Sequence, residues 1–149
     1  MGALTIPASG SIHIDADTLI YTVQRHPTYY PLLAPFWETV GHDAREVYGS
    51  ELLILETLAG PLKTGDTDLR AAFERALFSS QIELLPITRE VLREAARLRA
   101  TIPSLKTPDA IHAATALLYG SALFVTNDLT FRRVQGLSVA ILDDVFSSA

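Results

Sequence analysis

Cysteine is absent from this chain of 149 residues. Its absence excludes a disulfide scaffold, a zinc site built on thiolates and a cysteine nucleophile. Long hydrophobic runs are also missing, because the longest strongly apolar stretch, residues 52–55, falls far short of the ~18 residues that a membrane helix requires. The first ten residues, MGALTIPASG, have neither the basic nor the apolar region of a signal peptide. We therefore expect a soluble cytoplasmic protein that has no membrane partner.

Positive charge is scarce as well. The chain has 12 lysines and arginines against 17 aspartates and glutamates, which gives a formal net charge of −5. This acidic balance argues against indiscriminate nucleic-acid binding, although not against a site in which metal ions offset the negative charge. The chain is 48% hydrophobic and long enough to bury one core without a disulfide or a metal. We expect residues 1–149 to form a single domain.

Short apolar segments alternate with helical patterns along the chain. The predicted strands are residues 11–14, 46–49, 82–85, 123–126 and 139–142. Segments with helical spacing or a capping residue at the start fill the intervals between them, and Gly60-Pro61 is expected to end the helix that begins near Ser50. Strands that alternate with helices favour a parallel sheet covered on both faces, which is an α/β fold.

Two aspartates directly follow predicted strands. Asp15 comes after the first strand and Asp128 after the fourth, in the segment FVTND. Open parallel sheets bind ligands beyond the carboxyl ends of their strands, near the point where the strand order reverses. The two carboxylates can therefore meet in one site. Each can equally serve as the N-cap of the helix that follows it.

Glu56 is unusual because its segment is apolar on nearly every side. A helix of this kind is expected to be buried, and a buried carboxylate costs several kcal/mol unless it is paired, protonated or bound to a metal. No lysine or arginine lies within one helical turn of Glu56. Its partner is then either a distant arginine or a metal ion.

Asp109 lies in the first turn of the helix predicted to begin at Thr107, where the helix dipole favours any acid. The small residues that follow, among them Ala110 and Ala113, let this helix pack closely and bring Asp109 inward. Acids on different elements, in a chain without cysteine, suit a hard cation such as Mg²⁺ or Mn²⁺.

Four segments in this order resemble the motifs of the PIN-domain family, whose bacterial members include VapC-type toxins. The segments are IHIDADTLIY, SELLILETLAGPL, LRATIPSLKTPDAIHAATAL and LFVTND. The third is the most specific match, and together they span about residues 11–142. The acids that they place at the family's motif positions are Asp15, Glu56, Asp109 and Asp128.

The resemblance implies a three-layer α/β/α fold with a parallel sheet ordered 3-2-1-4-5. It also implies a metal-dependent endoribonuclease that leaves 3′-hydroxyl and 5′-phosphate ends and acts as the toxin of a toxin–antitoxin pair. The four motif acids would hold one or two Mg²⁺ or Mn²⁺ ions, which activate water and stabilise the leaving oxygen. Thr126 would assist through a hydrogen bond to a ligand carboxylate or to a water. The implied strand order reverses between the first and fourth strands, where the strand ends already place Asp15 and Asp128.

Several residues near these motifs have two interpretations. Asp17 stands where the family usually has asparagine or another small polar residue, so it is either a further metal ligand or the cap of the next helix. Arg132 and Arg133 follow Asp128 closely and are candidates for binding RNA. His112, three residues after Asp109, is expected to be a buried, hydrogen-bonded histidine.

The resemblance also implies partners: an RNA substrate, an antitoxin protein and a second copy of the chain in a homodimer. The apolar and aromatic stretch at residues 29–37 is the expected dimer interface. The main alternative is a PIN fold that serves as a binding or regulatory module with little or no nuclease activity, and the presence of all four acids favours the enzyme. IDADTL also approaches the phosphoaspartate motif of haloacid-dehalogenase-like phosphatases, but Leu19 stands where that motif has threonine or valine.

Overall fold

The computed structural model describes residues 2–148 and contains one five-stranded sheet. Its strand order is β3-β2-β1-β4-β5, and every neighbouring pair is parallel. This confirms the α/β class and the order that the resemblance implied. The strands are β1 (Ile12–Ile14), β2 (Val47–Ser50), β3 (Ile82–Leu85), β4 (Leu123–Thr126) and β5 (Val139–Ile141).

Helices connect the strands and cover both faces of the sheet. Within residues 2–148, none of them is long and apolar enough to cross a bilayer. A 3₁₀ helix (Leu129–Arg133) follows β4. The α-helices are α1 (Ala16–Val23), α2 (Tyr30–His42), α3 (Leu52–Thr64), α4 (Thr67–Phe78), α5 (Arg89–Thr101), α6 (Thr107–Leu118) and α7 (Leu142–Ser147).

The prediction that Gly60-Pro61 ends α3 is wrong. The helix continues through Pro61 to Thr64 and ends at Gly65, whose positive φ of 72° gives a left-handed C-cap. Pro61 is buried, so its packing against the core compensates for the helix hydrogen bond that a proline cannot donate. The longer helix carries Glu56 near its middle.

Two hydrophobic clusters, one on each face of the sheet, make the three layers. The first packs β-strand side chains such as Ile12 and Val125 against α1, α2 and α3. The second packs Phe124 against α5 and α6. Ala110 and Ala113 of α6 are fully buried, which confirms the close packing predicted for that helix.

The stretch at residues 29–37 is only in part the exposed apolar surface that was predicted, because Pro31 and Pro35 face solvent while three larger side chains do not. Leu32, Leu33 and Phe36 are at most 3% exposed, because this amphipathic part of α2 turns its apolar side into the core. They are therefore wrongly assigned to a dimer interface. The homodimer itself stays a prediction. Large exposed apolar side chains occur instead on α3, where Leu55 is 65% exposed and Leu62 is 56% exposed.

The connection between β2 and α3 depends on the small size of Gly49. A Cβ atom at this position would lie 2.3 Å from Cδ1 of Leu53, which is fully buried. We expect Gly49→Ala to lower the free energy of unfolding by about 1–3 kcal/mol, because the added methyl overpacks the core. Urea denaturation measures this change.

Gly41→Ala is the matched control. Gly41 lies in α2, and the nearest atom to an added Cβ is Oε1 of Gln81 at 3.3 Å. This variant should be as stable as the wild type or more stable by up to about 1 kcal/mol, since alanine favours the helix. Equal stability of the two variants would contradict the packing assigned to Gly49.

Candidate functional site

Asp15 lies at the carboxyl end of β1, and each of its carboxylate oxygens accepts a hydrogen bond. Its Oδ1 accepts from the backbone N–H of Thr18 at 3.2 Å, while the Thr18 hydroxyl, 3.1 Å from the same oxygen, donates its single proton to the Val125 carbonyl at 2.8 Å. Its Oδ2 accepts from the Thr126 hydroxyl at 2.5 Å. The residue is 5% exposed. Asp15 is therefore both the N-cap of α1 and a carboxylate turned toward the end of β4.

Burial raises the pKa of Asp15 to about 6, although the Thr126 hydroxyl and the Thr18 N–H each favour the ionised form. The charge of Asp17 raises this pKa further. A carboxyl group in this position is costly to ionise unless a positive charge comes close to it.

Asp17 and Asp109 lie in the first turns of α1 and α6, respectively. Burial raises the pKa of both, followed in each case by the charge of Asp128, and the charge of Glu56 also contributes. Five acids at the carboxyl edge of the sheet therefore lie close enough to influence one another's ionisation. They are Asp15, Asp17, Glu56, Asp109 and Asp128. Because Asp15 is the N-cap of α1, the interpretation of Asp17 as that cap is wrong.

Thr126 connects Asp15 with the loop that carries Asp128. While its hydroxyl donates to Asp15, the same oxygen accepts from the backbone N–H of Asp128 at 3.1 Å. Asp128 in turn caps the 3₁₀ helix through a bond from the Thr130 N–H at 2.9 Å. The fully buried Thr126 thus holds the ends of β1 and β4 in a common arrangement.

Glu56 has a partner that the sequence did not identify. Its Oε1 lies 2.5 Å from Nε2 of His112, which is on α6. The Glu56 side chain is 25% exposed, so the expectation of a fully buried glutamate is wrong. The leucines that suggested full burial include Leu55, which faces solvent. One signal was available: His112 is three residues after Asp109, on the same face of α6.

The donor chemistry of these acids fits a hard divalent cation. All of them offer carboxylate oxygens, and burial together with mutual repulsion raises three of their pKa values. Within residues 2–148, however, no group of three acidic or histidine side chains is placed to hold one ion as it stands. Hydrogen bonds to threonine and histidine use only part of the acceptor capacity of Asp15 and Glu56, because each carboxylate offers about four lone-pair sites.

The two arginines predicted to bind RNA lie on the surface beside the site and have protein partners. Arg132 forms an ion pair with Asp144. Arg133 donates from Nη1 to the Ser104 hydroxyl at 3.0 Å. Both side chains are exposed, and their role in RNA binding stays a prediction.

Comparison with known families now identifies the fold. A profile of the PIN domain matches residues 12–137. The chain belongs to the PIN-domain family. The match includes all four motif acids of this PIN domain. No curated protein sequence matches the chain.

Solved structures that resemble this PIN domain include a toxin–antitoxin complex from Klebsiella pneumoniae, which has a TM-score of 0.64 at 20% identity, with coverages of 88% of this chain and 97% of its own. VapBC2 from Rickettsia felis, bound to a DNA fragment from its promoter, has a TM-score of 0.72 at 17% sequence identity. The aligned region covers 88% of this chain and 98% of the VapBC2 chain. DNA-bound VapBC from Salmonella typhimurium has a TM-score of 0.68 at 22% identity, with coverages of 90% and 99%. FitAcB from Neisseria gonorrhoeae has a TM-score of 0.69 at 16% identity, with coverages of 88% and 97%. At these identities the likeness establishes the fold alone.

The raised pKa of Asp15 predicts a specific pH dependence of stability. Since its folded pKa is about 6 and its ordinary value is 3.8, the unfolded chain loses this proton first as the pH rises. The free energy of unfolding should then fall by roughly 1 kcal/mol between about pH 5.5 and about pH 7.5 in metal-free protein. Asp15→Asn removes this contribution.

The pH dependence of Asp15→Asn must be compared with that of wild type, because His13 also makes the stability depend on pH. Burial lowers the pKa of His13 from 6.5 to about 4, so this residue destabilises the fold as the pH falls through the same range and opposes the effect of Asp15. Because both proteins contain His13, the difference between Asp15→Asn and wild type isolates Asp15. Urea denaturation at the two pH values should show this difference shifting by roughly 1 kcal/mol in favour of the variant at the higher pH. A constant difference would contradict the raised pKa.

Proposed function

We propose that this PIN domain is a divalent-metal-dependent endoribonuclease and the toxin of a toxin–antitoxin pair. The observation that supports it most directly is that five carboxylates lie close enough to influence one another's pKa values, at the sheet edge where the strand order reverses between β1 and β4. One of them, Asp15, is buried with its pKa raised to about 6. Such an arrangement is unfavourable for the fold alone and becomes favourable when a cation binds.

Asp15, Glu56, Asp109 and Asp128 would hold the ion, Mg²⁺ or Mn²⁺, and Asp17 extends the same set of oxygens. The ion supplies Lewis acidity that favours ionisation of water and offsets the charge developing on the phosphate. Asp15 provides a buried carboxylate in a fixed orientation, because the backbone N–H of Thr18 and the hydroxyl of Thr126 each donate to one of its oxygens. Asp17 is exposed and Asp109 is half-buried, so these acids face the side from which a substrate would enter.

RNA and the antitoxin are the proposed macromolecular partners. The chain has a net charge of −5, so an RNA phosphate would depend on the bound ion and on exposed arginines such as Arg132 and Arg133. One of the similar solved structures is a toxin–antitoxin complex from Klebsiella pneumoniae, which supports an antitoxin as partner. An antitoxin arginine placed near the acids would neutralise them and block the ion's site.

A cleavage assay tests the proposed activity. Purified protein incubated with a mixed pool of labelled single-stranded RNA should cleave it with Mn²⁺ and not with a chelator. Asp15→Asn and Asp109→Asn should each reduce cleavage below a few per cent of wild type, because each removes a carboxylate from the ion's ligands. Circular dichroism should show that both variants remain folded.

Asp68→Asn is the matched control for these variants. Asp68 is an exposed acid in the first turn of α4, so the same substitution there should leave cleavage unchanged. Cleavage that persists in Asp15→Asn, or that needs no metal, would contradict the proposal. RNA binding without cleavage would favour the alternative of a binding or regulatory module.

Metal binding should also be visible in stability. In wild type, Mn²⁺ at a hundredfold excess over its dissociation constant should raise the free energy of unfolding by about 2.7 kcal/mol. With a chelator present, Asp109→Asn should melt above wild type, because one of the repelling charges is gone. The variant should gain little when Mn²⁺ is added. Melting curves of both proteins with chelator and with Mn²⁺ provide the measurement, and an equal gain in both would contradict the assigned ligands.

A further inference from the structure

His112 combines deep burial with a single polar contact. Its side chain is 2% exposed, and Nε2 lies 2.5 Å from Oε1 of Glu56 across the packed helices α3 and α6. Its other ring nitrogen, Nδ1, is also buried and has no hydrogen-bond partner among residues 2–148. The imidazole thus makes one strong contact and leaves one polar atom unsatisfied.

This geometry determines which nitrogen carries the proton. A proton on Nδ1 would leave a buried N–H without an acceptor and would turn the Nε2 lone pair toward a carboxylate oxygen. A proton on Nε2 donates to Glu56 and leaves only an unpaired acceptor at Nδ1. The structure assigns the proton to Nε2, and Glu56 is its acceptor.

The gain in fold stability does not explain why a histidine occupies this position. A hydrogen bond contributes about as much stability as an unsatisfied buried polar atom removes, so the two effects of His112 largely offset each other. A leucine would fill the same part of the core without leaving a polar atom unpaired. What only the histidine provides is a donor that points at Glu56.

Glu56 needs such a donor in order to stay in one orientation. Its carboxylate is one-quarter exposed and is carried on a long flexible side chain. Anchoring Oε1 to His112 holds the group near the other acids, and its charge acts on both Asp17 and Asp109. Without the anchor, the carboxylate is free to turn toward solvent and away from its like-charged neighbours.

We propose that His112 is a positioning residue that holds Glu56 ready to bind the divalent ion. The inference rests on the proposed function, because it takes Glu56 as one of the ligands. Removing a residue that hydrogen-bonds to a metal ligand typically lowers the metal affinity by 10- to 100-fold. His112 does not itself reach the ion or the RNA in this scheme, since its second nitrogen is enclosed in the core.

Two substitutions separate positioning from packing. His112→Leu fills the space and removes the donor. His112→Gln also alters the packing but keeps a nitrogen donor at nearly the same distance along the side chain. Titration with Mn²⁺ followed by electron paramagnetic resonance should show 10- to 100-fold weaker binding for His112→Leu and an affinity close to wild type for His112→Gln.

The Glu56→Gln background tests whether the effect passes through Glu56. In that background, His112→Leu should cause no further loss of Mn²⁺ affinity, because there is no longer a carboxylate to hold. An undiminished loss in that background would overturn the inference, as would a His112→Leu protein that binds Mn²⁺ as tightly as wild type.

Nuclear magnetic resonance of histidine labelled with ¹⁵N gives a readout that needs no variant. In metal-free wild type, Nε2 of His112 should carry a proton, and an unprotonated Nε2 would overturn the inference even if the variants did not fold. If wild type fails to bind Mn²⁺ at all, the proposed function fails and this inference falls with it. If wild type binds Mn²⁺ and His112→Leu binds it equally well, only the inference fails.

Discussion

The buried hydrogen-bonded carboxylate of Asp15 is the constraint on which the rest of this site depends. A carboxylate that is 5% exposed loses most of its hydration, and the fold compensates with donors from two different elements. Thr18 supplies its backbone amide from α1, and Thr126 supplies a hydroxyl from the end of β4. These donors reach Asp15 only because β1 and β4 are paired with Ile14 opposite Val125. The parallel pairing is therefore also what builds the site.

The other acids are arranged around this fixed point through contacts between helices. Thr126 links Asp15 to the Asp128 loop, and His112 links Glu56 on α3 to α6, which also carries Asp109. Protein donors thus occupy the carboxylates that an ion would use. Hydrogen bonds thus hold the carboxylates close together although their charges repel. A bound cation would offset this repulsion by accepting carboxylate oxygens as ligands.

Much of this site follows from local sequence signals, and the remainder depends on contacts between distant segments. Asp15 and Asp128 were predictable because residues after parallel strands meet at one sheet edge. The strand order came from the family motifs, since alternation of strands and helices alone does not specify it. The pairing of Glu56 with His112 joins positions 56 residues apart, so no local pattern contains it. The extension of α3 past Pro61 was missed because tertiary packing outweighed a local preference, whereas the burial of Phe36 follows from the helical spacing of apolar residues in α2.

Anomalous diffraction from crystals soaked in Mn²⁺ tests most directly whether these carboxylates form one cation site. A peak should appear at the carboxyl ends of β1 and β4, with oxygens from at least three of the four motif acids at about 2.0–2.2 Å, the range for small divalent ions. Crystals of Asp109→Asn soaked in the same way should show a weaker peak or none. A wild-type map without a peak there, or with the ion bound elsewhere on the surface, would contradict the assignment of these acids as a metal centre.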